Sequence, residues 1–297
     1  MSELLLRLNT AAWVLHSFLF FALLGWRLAN ASADPRAPIF VQDVQMGDDD
    51  AVWYDVGLRR TDARVDLWAL TIAFTAVTAI AHFLYATHWR GAYEHNIRSG
   101  VQYLRWIEYG LSATPMYVIV SMLAGARLAS TLALVAACSL ATMLQGYVLE
   151  ASLAKNQPGL AGAALLAGWT LFAGNWTLIL GEWYLGLRDS RDTVRNDVVD
   201  ADPSDGPPDN LEALIVVMFL LFASFGAVAC YRFLSCVLPG FGPCDYVRVE
   251  VAYVSLSFAA KFILAIWLMT SVFVEIPWLN QICGCFGDGC VPGQLPG

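Results

Sequence analysis

Between Val251 and Val274 the sequence carries a single charged residue, Lys261, near the middle of 24 positions. An unpaired ammonium buried in a bilayer costs at least roughly 2.5 to 3.5 kcal/mol, so a lysine at this place points to a function. Held in an apolar pocket, a lysine can lose its proton, attack an aldehyde and form a Schiff base. A second charge supplies the complement. Glu108 stands in Tyr103-Leu104-Arg105-Trp106-Ile107-Glu108-Tyr109, within another apolar run that begins at Ser99. Helical rise puts Glu108 ~14 Å from Ser99 and Lys261 ~15 Å from Val251, at similar depth. Arg105, Glu108 and Ser112 share one helical face, and Tyr253, Ser257 and Lys261 share another. Two polar faces whose other neighbours are lipid should turn toward each other. A structural salt bridge joining two helices is the competing explanation, and charge placement alone leaves both open.

The elements that would position these groups are membrane helices. The chain is 58% hydrophobic and 14% charged, with its apolar residues in long blocks rather than short alternating runs. Each of seven blocks meets the ~20-residue need of a helix crossing ~30 Å of hydrocarbon. The blocks predict an all-α bundle with helices at about 8–29, 65–89, 97–126, 127–153, 159–187, 210–237 and 246–276. Residues 1–276 form one domain on this reading, followed by a Cys/Gly-rich tail at 277–297. The first block lacks a small-residue cleavage site and is read as a retained helix. Seven crossings put the termini on opposite sides, and Lys/Arg counting does not choose between the two orientations.

Two long loops, about 30–66 and 188–209, are acidic, fall on one face and account for most of the net charge of -8. That face should repel nucleic acid. In the first loop, Ile39-Phe40-Val41 and Ala51-Val52-Trp53-Tyr54 flank the turn-like Gly47-Asp48, which predicts a small β-hairpin on the membrane surface. The stretch from Arg188 to Asn210 is polar and proline-rich and reads as a flexible link. Cys283, Cys285 and Cys290 cluster in the tail, Cys230, Cys236 and Cys244 lie near the loop between the last two helices, and none has a zinc-site spacing. A tail disulfide, lipidation and free thiols all stay open.

His16 and His82 fall inside apolar runs, where an imidazole either bonds a neighbouring helix or lines a wet cavity, and either could take a proton. Glu150, Glu182 and Glu275 lie near helix ends and read as carboxylates reaching water. An extended polyene needs a narrow apolar slot, and among the frequent aromatics Tyr109, Trp169 and Phe225 are the candidates to wall it. Phe172, Trp176, Phe222 and Trp267 are read as core or interface residues. Pro115 should kink the helix that carries Glu108.

Val251-Ala252-Tyr253-Val254-Ser255-Leu256-Ser257-Phe258-Ala259-Ala260-Lys261 resembles the retinal-attachment segment of rhodopsins. Arg105-Trp106-Ile107-Glu108-Tyr109 resembles the third-helix signature of one branch, the heliorhodopsins, including members of viral or algal type. His16, and His82 in Ala81-His82-Phe83, stand where that family carries histidines near the Schiff base; Ser224-Phe225 fits its pocket, and Glu150 ends the fourth helix as in relatives. The resemblance implies a seven-helix photoreceptor, not an enzyme, with all-trans retinal on Lys261 as a protonated Schiff base and Glu108 as counterion. It also implies a slow photocycle, light sensing through an unknown signalling partner, and a homodimer in the lipid bilayer. The N-terminus would be cytoplasmic, the C-terminus extracellular, and the hairpin extracellular. Outward proton pumps carry a carboxylate four residues before the lysine and a donor eleven after the counterion; here Ser257 and Ile119 stand at those positions. Some viral heliorhodopsins are thought to conduct protons passively, so a light-gated proton channel or transporter is the alternative.

Overall fold

The computed structural model describes residues 3–30, 36–46, 54–196 and 210–272. Helix α1 (Glu3–Ala29) leads to the antiparallel strands β1 (Arg36–Met46) and β2 (Tyr54–Asp66), then to α2 (Leu67–Ala86), the short α3 (Arg90–Ser99) and α4 (Tyr103–Leu123). Helices α5 (Ala129–Ala154), α6 (Pro158–Asn196), α7 (Leu211–Val237) and α8 (Tyr246–Trp267) follow, and one π-helical turn (Leu268–Val272) extends α8. Adjacent helices run α1, α2, α4, α5, α6, α7, α8 and back to α1, closing a ring.

Six of these helices, α1, α2 and α5 to α8, are long and apolar enough to cross a membrane. They carry Phe, Leu and Ile outward, as at Phe18, Phe21, Leu166 and Leu220, where lipid rather than water is the natural neighbour. Helix α4, at 21 residues, is as long as α2, but its Arg105, Glu108 and Pro115 dilute its hydropathy. It lies between α2 and α5, and much of its length is buried, from Arg105 to Leu123. A helix with an arginine and a glutamate along its length is thus largely enclosed by protein, as expected where charges must avoid lipid.

The expected third helix at 97–126 is two helices. Gly100 adopts a left-handed conformation (φ 73°) that ends α3, and α4 restarts at Tyr103. Glu108 therefore lies only about 8 Å into its helix, not 14 Å. Helix α6 continues to Asn196, so the first part of the supposed link after 187 is helical; it extends a helix already nucleated and so needs no nucleus of its own. Strands β1 and β2 pair from Arg36 with Asp66 to Met46 with Tyr54. The turn expected at Gly47-Asp48, Glu275 and the tail with Cys283, Cys285 and Cys290 lie outside the described residues. A disulfide joins Cys236 to Cys244 across the α7–α8 connection.

Candidate functional site

Lys261 donates from Nζ to Oε1 of Glu108, and both side chains are 3% exposed. The same carboxylate oxygen accepts from Thr78 Oγ1 of α2 at 2.8 Å and from Ser112 Oγ, one turn along α4, at 2.9 Å. A buried carboxylate with a cationic partner and two hydroxyl donors is the arrangement in which its charge is tolerated. Lys261 Nζ also lies 5.2 Å from the ring centre of Tyr109, whose hydroxyl donates to the Tyr253 carbonyl at 2.8 Å. The two polar faces expected from spacing do meet, through Glu108, Ser112 and Lys261.

Lys261 stands in the wall of a cavity with about 850 Å3 of space between its walls and at its mouth. Tyr109, Ser112, Trp169, Phe225 and Ser257 line it together with Lys261. Phe172 and Phe222 join them, whereas Trp176 packs behind against Tyr117 and Phe222. Ser224 turns back to the Leu221 carbonyl of its own helix. Two further wall residues, Trp106 and Tyr253, stand in the quoted motifs but were not expected to wall the slot. Each indole is pressed onto a glycine: a Cβ at Gly226 would come 2.6 Å from Trp169, and one at Gly146 2.2 Å from Trp106. Those distances are closer than real contacts, so both positions require glycine to bring the rings in as flat walls.

His16 and His82 do not line this cavity. They stack with ring centres 6.1 Å apart and planes 6° from parallel. His82 is one turn beyond Thr78 on α2, the residue that holds Glu108. Its Nδ1 faces Asn9 Oδ1 at 2.8 Å, while its Nε2 and both nitrogens of His16 are buried without a protein hydrogen-bond partner. Asn9 and Thr78 were not singled out in the sequence, although Thr78 to His82 and Asn9 to His16 have same-face helical spacing.

Arg105 is placed elsewhere than expected. It shares a face with Glu108 but bridges two other buried carboxylates, Glu150 and Glu250, each with 1% side-chain exposure. Its guanidinium lies 4.2 Å above the Tyr253 ring centre. Glu150 also accepts from Trp106 Nε1, Tyr246 Oη and the Gln102 backbone. Glu150 is therefore a buried anchor and not a carboxylate reaching water; its position at the end of an apolar run concealed that the α3–α4 connection, the start of α4 and the start of α8 cover it. Glu250 was missed for the same reason, and it accepts a 2.7 Å bond from Tyr93 Oη of α3. Burial raises the Tyr93 hydroxyl above its ordinary range and keeps it a donor. On the exposed face of α3, the hydrogen bond from Arg90 holds Glu94 below the usual carboxylate range. Among the described residues no cluster of His, Cys, Asp and Glu could hold a metal ion.

A family model described as Heliorhodopsin matches residues 5–273. A search of curated proteins returns no match. Among solved structures, the thermophilic rhodopsin from Rubrobacter xylanophilus is 14% identical with a TM-score of 0.54, over 96% of this chain and 100% of that one. Another structure described as a thermophilic rhodopsin is 15% identical with a TM-score of 0.55, covering 95% of this chain and 97% of its own. The proton-pumping rhodopsin AR2 from the marine alga Acetabularia acetabulum is 10% identical with a TM-score of 0.51, over 88% and 94%. At these identities the likeness is one of fold. Membership of a rhodopsin family implies a retinal chromophore, and the cavity suits one: an amine at its wall, apolar and aromatic sides, and two glycines that let indoles close in. From its match over nearly the whole length, the chain belongs to the heliorhodopsin family.

Proposed function

We propose that the protein is a light receptor in which all-trans retinal is joined to Lys261 Nζ as a protonated Schiff base, with Glu108 as counterion. The observation that carries this is the ion pair of Lys261 and Glu108 at the wall of an aromatic cavity. Bound there, retinal supplies visible absorption and a bond that isomerises in light. The chain's own groups do the rest. Tyr109, Trp169 and Phe225 wall the slot, and Ser257 faces it one turn before Lys261. Glu108 holds the positive charge at Nζ in the dark, kept in place by Thr78 and Ser112. His82, one turn from Thr78, and His16 stacked on it have buried nitrogens without a protein partner and form the reservoir for the proton leaving Nζ. Arg105 is tied to Glu150 and Glu250 and positions the floor of the cavity through Trp106 and Tyr253 rather than touching the chromophore.

On this account α4 joins the six apolar helices as a seventh crossing, and the protein works as a homodimer in the bilayer. The N-terminus, α3 and the α7–α8 connection face the cytoplasm, with the paired strands outside. A slow photocycle then suits sensing through a signalling partner. Proton conduction is the second reading, favoured by the two buried carboxylates Glu150 and Glu250, although Arg105 occupies the space between them.

Adding all-trans retinal to the expressed protein tests the central assignment. A visible band should form, and it should be missing in Lys261→Ala. A colourless wild type, or an undiminished band in the variant, overturns it. Voltage clamp under illumination separates sensing from conduction, since a light-evoked current appears only with the second.

A further inference from the structure

Among the described residues no carboxylate pairs with Arg232 of α7, although the residue is only 6% exposed. Its Nε has no hydrogen-bond partner, and its Nη1 donates to Cys244 Sγ at 2.9 Å. The guanidinium is fixed in that place. It lies 5.0 Å over the Tyr246 ring centre, and Gly100 closes on its other side, where an added Cβ would come 3.2 Å from Nη2. A disulfide sulfur is a neutral, weak acceptor and leaves a buried cation poorly compensated, whereas a thiolate at the same place would be its counterion. Cys244 is exposed in the α7–α8 connection, while Cys236 is part-buried on α7. The neighbouring carboxylate is already engaged: Asp245 accepts from the Val247 backbone at 3.0 Å and pairs with Arg248 at 3.3 Å. Cys236 has a different neighbour. Ser235 Oγ lies 4.0 Å from its sulfur and donates to the Arg232 carbonyl, which leaves the hydroxyl oxygen to accept from a protonated thiol.

From this arrangement we propose that Cys236 and Cys244 form a reversible thiol pair: Cys244, as a thiolate held by Arg232, is the site of modification by low-molecular-weight disulfides, and Cys236 resolves the adduct. A cation beside an exposed cysteine favours the thiolate, which is the nucleophile in such exchange. The Cys244 thiolate attacks one sulfur of the small disulfide. That S–S bond breaks, one small thiolate leaves, and a mixed disulfide stands on Cys244. Cys236 then gives up its proton and attacks Cys244 Sγ, which forms the Cys236–Cys244 bond and releases the second small thiol. Two protein thiols lose two electrons in all, and the small disulfide is reduced to two thiols. The proposal takes its thiol-rich compartment from the cytoplasmic placement of the α7–α8 connection above, and it does not depend on retinal. Purified protein tests it in either orientation, so failure of the exchange and failure of that placement are told apart.

The full-length protein, reduced, freed of reductant and mixed with oxidised glutathione, can be digested at intervals and followed by mass. The segment 233–248 holds Cys236 and Cys244 and no other cysteine, so its peptide reports on this pair alone. In Cys236→Ser the glutathione adduct should build up on Cys244 severalfold faster than it does on Cys236 in Cys244→Ser. In wild type the adduct should be transient and give way to the internal bond. Adding Arg232→Gln to Cys236→Ser should slow the reaction about threefold or more, because the thiolate fraction falls by more than nucleophilicity rises. Arg232→Lys, which keeps the charge, should restore most of the rate. Equal rates at the two cysteines overturn the proposal, as does an adduct that persists in wild type or a rate that ignores Arg232→Gln. Should Arg232→Gln fail to fold, the comparison of the two serine variants, which needs no change at Arg232, decides alone.

Discussion

Arg105 turns away from Lys261 and pairs with Glu250, about three helical turns earlier on α8. Helix α4 thus meets α8 through two separate ion pairs, one with Lys261 as cation and one with Arg105. The first stands at the cavity, and the second, shared with Glu150, ties α4, α5 and α8 together where α3 covers them. A protein that held its bundle together with Lys261 and Glu108 would have little use for a second, larger set, which favours a chemical task for the first.

Replacing Glu108 by Gln leaves the cation at Lys261 without its partner. Removing one member of a buried pair costs ~3 to 5 kcal/mol, so the visible band should shift to the red and be lost at a markedly lower pH than in wild type. Absorption spectra across a pH titration check this. An unchanged spectrum and midpoint would mean that another group neutralises the charge.

The Arg105 cluster should be a determinant of stability. Glu250→Gln removes one of its two carboxylates, and Arg105→Met strands both; each change should lower stability by roughly 3 to 5 kcal/mol. The double variant Arg105→Met/Glu250→Gln should lose less than the sum, because neither buried charge of that pair is then left alone. Thermal unfolding of the solubilised protein measures all of these, and strictly additive losses would contradict the coupling.

The cavity wall makes a steric prediction. Gly226→Ala forces Trp169 to move, since its ring stands 2.6 Å from where the new Cβ must go. Overpacking of this kind costs typically about 1 to 3 kcal/mol. The variant should take up retinal more slowly and unfold at lower temperature, and Gly226→Val should do worse. Uptake and unfolding equal to wild type would show that the ring yields freely.

The heart of the site was legible because membrane burial makes a charge conspicuous: Lys261 in an uncharged run and Glu108 among aromatics needed no structure to be noticed. Ser112, Ser257, Tyr109, Trp169 and Phe225 followed from helical spacing and from the slot a polyene needs, and all of them line the cavity. Glu250 and Glu150 were concealed because the end of an apolar run reads as the bilayer surface. Whether that end is wet depends on what packs over it, here α3, whose separation from α4 turns on the backbone of Gly100. Arg105 shares a face with Glu108 by spacing, but a long side chain reaches along the helix, and periodicity does not say in which direction. Asn9 and Tyr93 gain meaning only through the contact of α1 with α2 and that of α3 with α8, which no local pattern encodes.

The Cys236–Cys244 disulfide offers a test of sidedness. Closing so short a loop contributes about 2.5 kcal/mol, so reduction should lower the unfolding temperature. With the N-terminus in the cytoplasm, this bond lies on the cytoplasmic face. The cytosolic thiol pool should then keep the pair reduced in intact cells, leaving no bond for a membrane-impermeant reductant to cleave, and the bond should form in inverted vesicles once they are exposed to oxidant. Cleavage in intact cells would place the α7–α8 connection outside.

The covalent bond to Lys261 can be read most directly by mass. Protein reconstituted with all-trans retinal, reduced with borohydride and digested, should carry the retinyl group on the peptide that contains Lys261 and on no other lysine. An unmodified Lys261 peptide from coloured protein, or a retinyl group at another residue, would contradict the account at its centre.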